Sequence, residues 1–140
     1  MIKQIFVNLP VKDLSKTRKF WEDLGFSFNP QFSDDKGAAL VLGENIYAML
    51  LTEDFYKTFI NQKQIVDATV MSEVINAVSV ENKEEVDQIV DKAYALGATK
   101  YREADVYEWM YSRAFQDLDG HFWEFVYMDM SKFPQTPSNE

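Results

Sequence analysis

The chain has 140 residues, of which 46% are hydrophobic and 15% aromatic. This length and composition predict one folded domain with its own core, and they exclude a largely disordered chain. The formal net charge of -9 argues against binding to nucleic acid or to an anionic membrane surface, because either partner requires a basic surface.

The counts of two residue types exclude several kinds of chemical site. The chain has no cysteine, which excludes disulfides, thiol nucleophiles, iron–sulfur clusters and thiolate zinc sites. His121 is its one histidine, so a site that needs two histidines from one chain cannot form. No apolar run approaches the ~18 residues of a membrane-spanning helix, and the first ten residues alternate as a strand does, unlike a signal peptide. We therefore expect a cytoplasmic protein.

The first part of the chain predicts a strand, a helix and three further strands. Residues 2–11 alternate as a strand, and Asp13 then has the position of a helix N-cap. Gly25 ends the helix, where a left-handed residue is usually needed. Three strand-like pieces follow within residues 26–52. Leu14, Trp21 and Leu24 would form the apolar face of the helix, with Phe20 beside it.

The same order of elements returns after a connector. Residues 53–72 break the pattern and contain a short helix at most. Residues 73–81 then predict a strand, and Asn82 and Glu85 have the spacing of a helix capping box. Gly97 ends this second helix. Further strand-like segments lie around 100–103, 107–116 and 121–128.

The chain thus contains two β-α-β-β-β units, which predict an α+β fold. Module one covers about 1–52 and module two 73–128, so that residues 1–128 form a single domain with 53–72 as connector. The polar end, 129–140, is expected to be a loose tail. Because each unit has its helix on one sheet face, the free faces are expected to form a cupped mixed β-sheet around a ligand cavity, with the helices on the outer face.

Two motifs carry a resemblance to a known family. The first lies around the first helix, at residues 11–14 (VKDL) and 20–26 (FWEDLGF). The second and more specific one is 117–124 (DLDGHFWE), where Leu118 replaces the usual proline. Over about residues 1–128 the sequence resembles the vicinal oxygen chelate superfamily, which includes glyoxalase I, bleomycin-resistance proteins, fosfomycin-resistance enzymes and extradiol dioxygenases. The resemblance implies paired βαβββ modules around a cup, and a homodimer.

The resemblance also implies four positions, one on each of four strands, that hold a divalent ion in metal-dependent members. These positions are Phe6, Leu50, Ile75 and Glu124. Only Glu124 offers an oxygen donor, and one carboxylate does not hold a divalent cation against water. We therefore expect no cofactor. A displaced metal site near the strand starts is the alternative, and it would consist of Gln4, Glu73 and Glu124.

Hydrocarbon side chains at three of these positions predict a pocket for a small apolar or aromatic molecule. Within it, Glu124 would either face water at the pocket mouth or be desolvated, which would raise its pKa and suit a general base or a cation-binding group. His121 falls on the opposite strand face and is expected to pack. The predicted ligand-binding residues are Phe6, Asn8, Leu50, Ile75, Met110, Ser112, Phe122 and Glu124.

The register of the last hairpin decides which side chains lie beside Glu124. A two-residue turn would allow Arg113 to pair with Glu124. In that register, the residues on the same face as Glu124 would be Trp109, Tyr111 and Arg113. The register that the resemblance implies, which we adopt, places there Met110, Ser112 and Ala114.

The predicted function is metal-free binding of a small apolar or aromatic molecule by a homodimer. Two alternatives remain: a glyoxalase-type lyase or isomerase with the displaced metal site, and a metal-free enzyme in which Glu124 is the catalytic base. Neither a nucleic acid nor a membrane is an expected partner.

Overall fold

The computed structural model describes residues 1–134, and the elements in this part of the chain follow the order β-α-β-β-β twice. The chain divides into two compact units, the first ending at Met71 and the second starting at Ser72. The predicted α+β fold of two βαβββ modules is confirmed. Residues 135–140 of the predicted tail lie outside the described residues. From 1 to 134, no helix has the length and apolar character to span a membrane.

Module one is a four-stranded sheet in the order β1-β4-β3-β2, in which β1 and β4 are parallel and the other pairs antiparallel. A short helix, α2, follows β4 within the predicted connector. The elements are β1 (Ile5–Val11), α1 (Leu14–Leu24), β2 (Ser27–Asn29), β3 (Gly37–Gly43), β4 (Ile46–Thr52) and α2 (Glu53–Phe59).

Helix α1 begins and ends where the sequence predicts. The Asp13 side chain accepts a hydrogen bond from the backbone N–H of Lys16 at 3.1 Å, which satisfies one of the free donors of the first turn. Gly25 follows the last turn with φ +111°, a left-handed conformation that costs other residues roughly 1–2 kcal/mol. The side chains that α1 buries are Leu14, Thr17, Phe20, Trp21 and Leu24.

Module two repeats the topology, with the strand order β5-β8-β7-β6 and a parallel β5–β8 pair. The strand predicted around 100–103 is wrong, because the first strand after the helix is β6, at 105–106. Residue Thr99 forms only an isolated bridge with Gln116. The elements are β5 (Ile75–Ser79), α3 (Lys83–Ala95), β6 (Asp105–Val106), β7 (Met110–Gln116) and β8 (Phe122–Met128).

Helix α3 has the predicted capping pair, with one change of partner. The Asn82 side chain accepts from the backbone N–H of Glu85 at 2.8 Å. The Glu85 carboxylate accepts in return from the backbone N–H of Glu81 at 3.2 Å, one residue before the cap. Gly97, with φ +109°, follows the helix end as predicted.

Charged contacts fasten α3 to one face of its sheet. Arg113 of β7 contacts Asp87 and Asp91 of α3, each at 2.8 Å, and the Tyr111 hydroxyl donates to Asp87 at 2.6 Å. The hydrogen bond from Tyr111 lowers the pKa of Asp87, and Arg113 lowers it further. Arg113 is therefore turned toward the helix, and the alternative hairpin register, in which it would pair with Glu124, does not occur.

These contacts make part of the stability sensitive to acid. The pKa of Asp87 is lowered from its ordinary value of 3.8, so the ionised carboxylate stabilises the native state above that value and the contribution is lost as the pH falls below it. We expect the free energy of unfolding, measured by urea denaturation, to fall less between pH 7 and pH 3 in Asp87→Asn than in the wild type. Glu84→Gln, an exposed change on the same helix, should follow the wild type. An unchanged acid sensitivity in Asp87→Asn would contradict the assignment.

Candidate functional site

The strand pairing of module two places Glu124 in the middle of the sheet, on the face away from α3. Across β7, Glu124 is level with Ala114, and Ser112 is level with Val126. On its other side Glu124 is level with Ala77 of β5. The hairpin register that the resemblance implies is therefore confirmed, and small side chains flank the carboxylate.

A buried turn sets this register. One Asp117 oxygen accepts from the backbone N–H groups of Asp119 and His121 at 2.9 and 3.0 Å, and the other accepts from the indole N–H of Trp123 at 2.9 Å. Burial raises the pKa of the Asp117 carboxyl, while the charge of His121 and the bond from Trp123 oppose that shift. The turn fixes Trp123 on the α3 side of β8 and so directs Glu124, the next residue, to the opposite face.

An arginine from outside the strands pairs with Glu124. The Arg102 guanidinium lies 3.1 Å from the Glu124 carboxylate and 3.2 Å from that of Asp105. It also donates to the Glu103 carbonyl at 2.9 Å and to the Ser112 hydroxyl at 3.4 Å. We call Arg102, Asp105, Ser112 and Glu124 the Arg102 cluster. It joins the segment before β6 to strands β6, β7 and β8.

The Arg102 cluster is partly shielded from water and carries excess negative charge. The side chains of Arg102 and Glu124 are 24% and 28% exposed. Burial lowers the pKa of Arg102, but the charges of Glu124 and Asp105 outweigh that effect and raise it. With two carboxylates and one guanidinium, the cluster has one more negative than positive charge. Within residues 1–134, no residue donates a hydrogen bond to Glu124 Oε2, so this oxygen is an open acceptor.

Aromatic side chains border the Arg102 cluster. The rings of Tyr101 and Phe122 lie 4.5 Å apart between centroids, and Phe122 is level with Ile75 of β5. The Tyr101 hydroxyl is buried and has no partner of hydrogen-bonding geometry in the described chain. Burial raises the pKa of this hydroxyl, and the neighbouring Arg102 guanidinium acts against the rise. An aromatic ring pair therefore lies next to Glu124 on the same face of the sheet.

The structure brings part of the predicted ligand-binding set together. One face of module two carries five of the predicted residues: Ile75, Met110, Ser112, Phe122 and Glu124. Tyr101 and Arg102 are not in the predicted set, because the sequence predicts a strand around 100–103. The signal available was the presence of two basic residues, Lys100 and Arg102, two positions apart in a chain with a net charge of -9. In so acidic a chain, the charge of these residues favours contact with a carboxylate more strongly than their strand propensity favours a strand.

In module one, the placement of Leu50 beside Phe6 is wrong. Leu50 is level with Leu9 and fully buried, whereas Phe6 is level with Tyr47 on the other face. The Arg18 guanidinium of α1 stacks on Phe28 at 5.1 Å. Since Phe28 is level with Leu40 and Leu40 with Ala48, two residues before Leu50, α1 covers the Leu50 face.

Met49 has the position on β4 that was assigned to Leu50. It is level with Asn8 on the face away from α1, just as Glu124 is level with Ala77 in module two. The error is one residue, and a shift of one residue moves a side chain to the opposite face.

The residues present do not fit a divalent ion of the kind that the resemblance implies. Phe6 and Ile75 are hydrocarbon, Met49 offers one thioether, and Glu124 already pairs with Arg102. In residues 1–134 no three acidic or histidine side chains form a group that could hold a metal. The displaced metal site is not supported either, because Glu73 does not lie beside Glu124. Glu73 is exposed and precedes Ala77, the residue level with Glu124, by four positions, or roughly 13 Å of extended chain. Gln4 is likewise exposed, before β1.

Solved structures share this fold. A hypothetical protein, SA1046, from S. aureus is 31% identical, with a TM-score of 0.74 over 91% of this chain and 95% of that one. The fosfomycin resistance protein FosX from Listeria monocytogenes is 21% identical, with a TM-score of 0.68 over 94% and 98%. A glyoxalase/bleomycin resistance protein/dioxygenase family enzyme from Burkholderia phytofirmans PsJN is 17% identical, with a TM-score of 0.74 over 88% and 96%.

No curated protein is significantly similar in sequence. The family model of glyoxalases, bleomycin resistance proteins and dioxygenases, however, matches residues 3–125, which include Glu124 and all of both modules except the last three residues of β8. Together with the repeated βαβββ topology, this match decides the family. The chain belongs to the Glyoxalase/Bleomycin resistance protein/Dioxygenase superfamily.

Proposed function

We propose that this protein binds a small, largely apolar or aromatic molecule on the face of module two that points away from α3, without a divalent metal. Glu124 would accept a hydrogen bond from a donor or cationic group of that molecule. The observation that carries the proposal is the open Oε2 of a half-buried carboxylate beside the Tyr101–Phe122 ring pair. A family that includes bleomycin resistance proteins is consistent with a small-molecule ligand.

The charges near Glu124 favour a cationic or donating ligand over an anion. The terminal nitrogens of Arg102 already contact acceptors of the protein, so a ligand carboxylate would have to compete with Glu124 and Asp105 for these nitrogens. The excess negative charge of the cluster repels such an anion. A cation near Tyr101 and Phe122 would gain from the faces of their rings as well, by about 0.5–2 kcal/mol.

The test is a thermal-shift titration of chelator-treated protein with two probes of similar size, 2-phenylethylamine and 3-phenylpropionate. We expect the amine to raise the melting temperature and the carboxylate to leave it unchanged, because only a molecule that binds the native state shifts unfolding. In Glu124→Gln the affinity for the amine should fall about tenfold, as expected for a lost hydrogen bond to a charged group.

Glu108→Gln is the matched control, since it removes the same charge from an exposed position of the same module. It should keep the wild-type response to the amine. Equal responses to both probes, or an unchanged amine affinity in Glu124→Gln, would overturn the proposal. We expect a cytoplasmic homodimer, in line with the family, and sedimentation velocity would test the oligomeric state.

A further inference from the structure

We propose that the Arg102 guanidinium is a built-in cation that takes the place of a divalent ion at Glu124. Arg102 would thus be a specificity-determining residue, which keeps divalent cations away from Glu124 and Asp105. It would have this role whether or not the small molecule proposed above binds, since it concerns only the chain's own charges.

The geometry around Arg102 is that of an enclosed cation. Four oxygens contact its two terminal nitrogens at 2.9 to 3.4 Å: two carboxylates, one hydroxyl and one carbonyl. They come from three strands and the segment before them, so the sheet gathers them around one point. Oxygen donors of these types are the ones that hard divalent ions prefer, and here a side chain of the same protein satisfies them.

Partial burial distinguishes this arrangement from an ordinary surface ion pair. The side chains of Arg102 and Glu124 are 24% and 28% exposed, whereas Arg18 and Glu22 on α1 are 36% and 53% exposed. A half-buried carboxylate needs a cation more than an exposed one does. Without Arg102, Glu124 and Asp105 would be left unpaired beside the Ser112 hydroxyl, and a divalent ion could then replace the guanidinium.

The experiment follows the paramagnetic broadening caused by Mn²⁺ in ¹H–¹⁵N spectra of the full chain. In the wild type, we expect the amides of Ala77, Ala114 and Glu124 to remain sharp at Mn²⁺ concentrations that broaden the exposed acidic start of α3. In Arg102→Met these three amides should broaden, with an apparent Mn²⁺ affinity at least tenfold higher than in the wild type. In Arg102→Lys, which keeps the positive charge, the same three amides should remain sharp.

Arg18→Met removes an arginine from the exposed pair on α1 and should not change the three amides. The amide spectrum itself reports whether each variant is folded, and Arg102→Gln replaces Arg102→Met if that variant is not. The proposal would be overturned if Mn²⁺ broadened the three amides of the wild type with an affinity similar to that in Arg102→Met. It would also be overturned if Mn²⁺ did not broaden them in the folded Arg102 variant. Neither result depends on the amine titration, so each proposal can fail separately.

Discussion

Replacing Asp117 with alanine is expected to lower the free energy of unfolding by about 3 kcal/mol. Asp117 is 5% exposed, and its carboxylate accepts three hydrogen bonds, from Asp119, His121 and the Trp123 indole. Alanine would leave these three donors without their acceptor in a place that water does not reach freely. Urea denaturation followed by tryptophan fluorescence measures the change.

Asp34→Ala is the matched control. In module one, the Asp34 side chain accepts from the backbone N–H groups of Lys36 and Gly37 at 2.8 and 3.1 Å. Because Asp34 is exposed, water can accept these hydrogen bonds when the side chain is removed. We expect a loss of about 1 kcal/mol or less there. Asp117→Asn retains one acceptor oxygen and should lie between the two alanine variants. If Asp117→Ala and Asp34→Ala lowered the free energy of unfolding equally, burial of the turn would not be the cause of the loss in Asp117→Ala.

The turn at Asp117 also matters for the site, because it fixes the parity of β8. With Trp123 held by Asp117, Glu124 has to point to the face away from α3. A folded Asp117→Asn variant with weakened turn bonds should therefore bind the amine probe less tightly than the wild type, although residue 117 itself lies on the buried turn.

The second large effect is expected at Arg102. Arg102→Met should lower the free energy of unfolding by about 2 kcal/mol, because the half-buried Glu124 carboxylate loses its cation while the methionine retains most of the apolar stem. Arg18→Met should cost about 0.5 kcal/mol or less, as exposed pairs on a helix do.

A double-mutant cycle between Arg102→Met and Glu124→Gln isolates the pair. We expect a coupling free energy of about 1 kcal/mol, so that Arg102→Met is less damaging when Glu124 is already neutral. Additive losses would mean that Arg102 stabilises the module through Asp105, the Glu103 carbonyl and packing, and not through Glu124.

The local sequence determined the repeated architecture and the ends of its helices. Asp13, Gly25, Asn82 and Gly97 lie where capping chemistry requires them, and this chemistry acts within four residues along the chain. The family motif at 117–124 determined the hairpin register and with it the face of Glu124. Such features are predictable because the atoms that interact are close in sequence.

The tertiary structure alone decided the face of Leu50 and the partner of Glu124. The β4 stretch IYAMLLT is apolar at nearly every position, so no alternation fixes which side chains face α1, and only pairing with β1 sets the parity. Arg102 and Glu124 are 22 residues apart in sequence, and their 3.1 Å contact depends on how the segment between α3 and β6 crosses the sheet. A long flexible side chain has many carboxylates within reach in the unfolded chain, and only the packed sheet leaves it one set of acceptors.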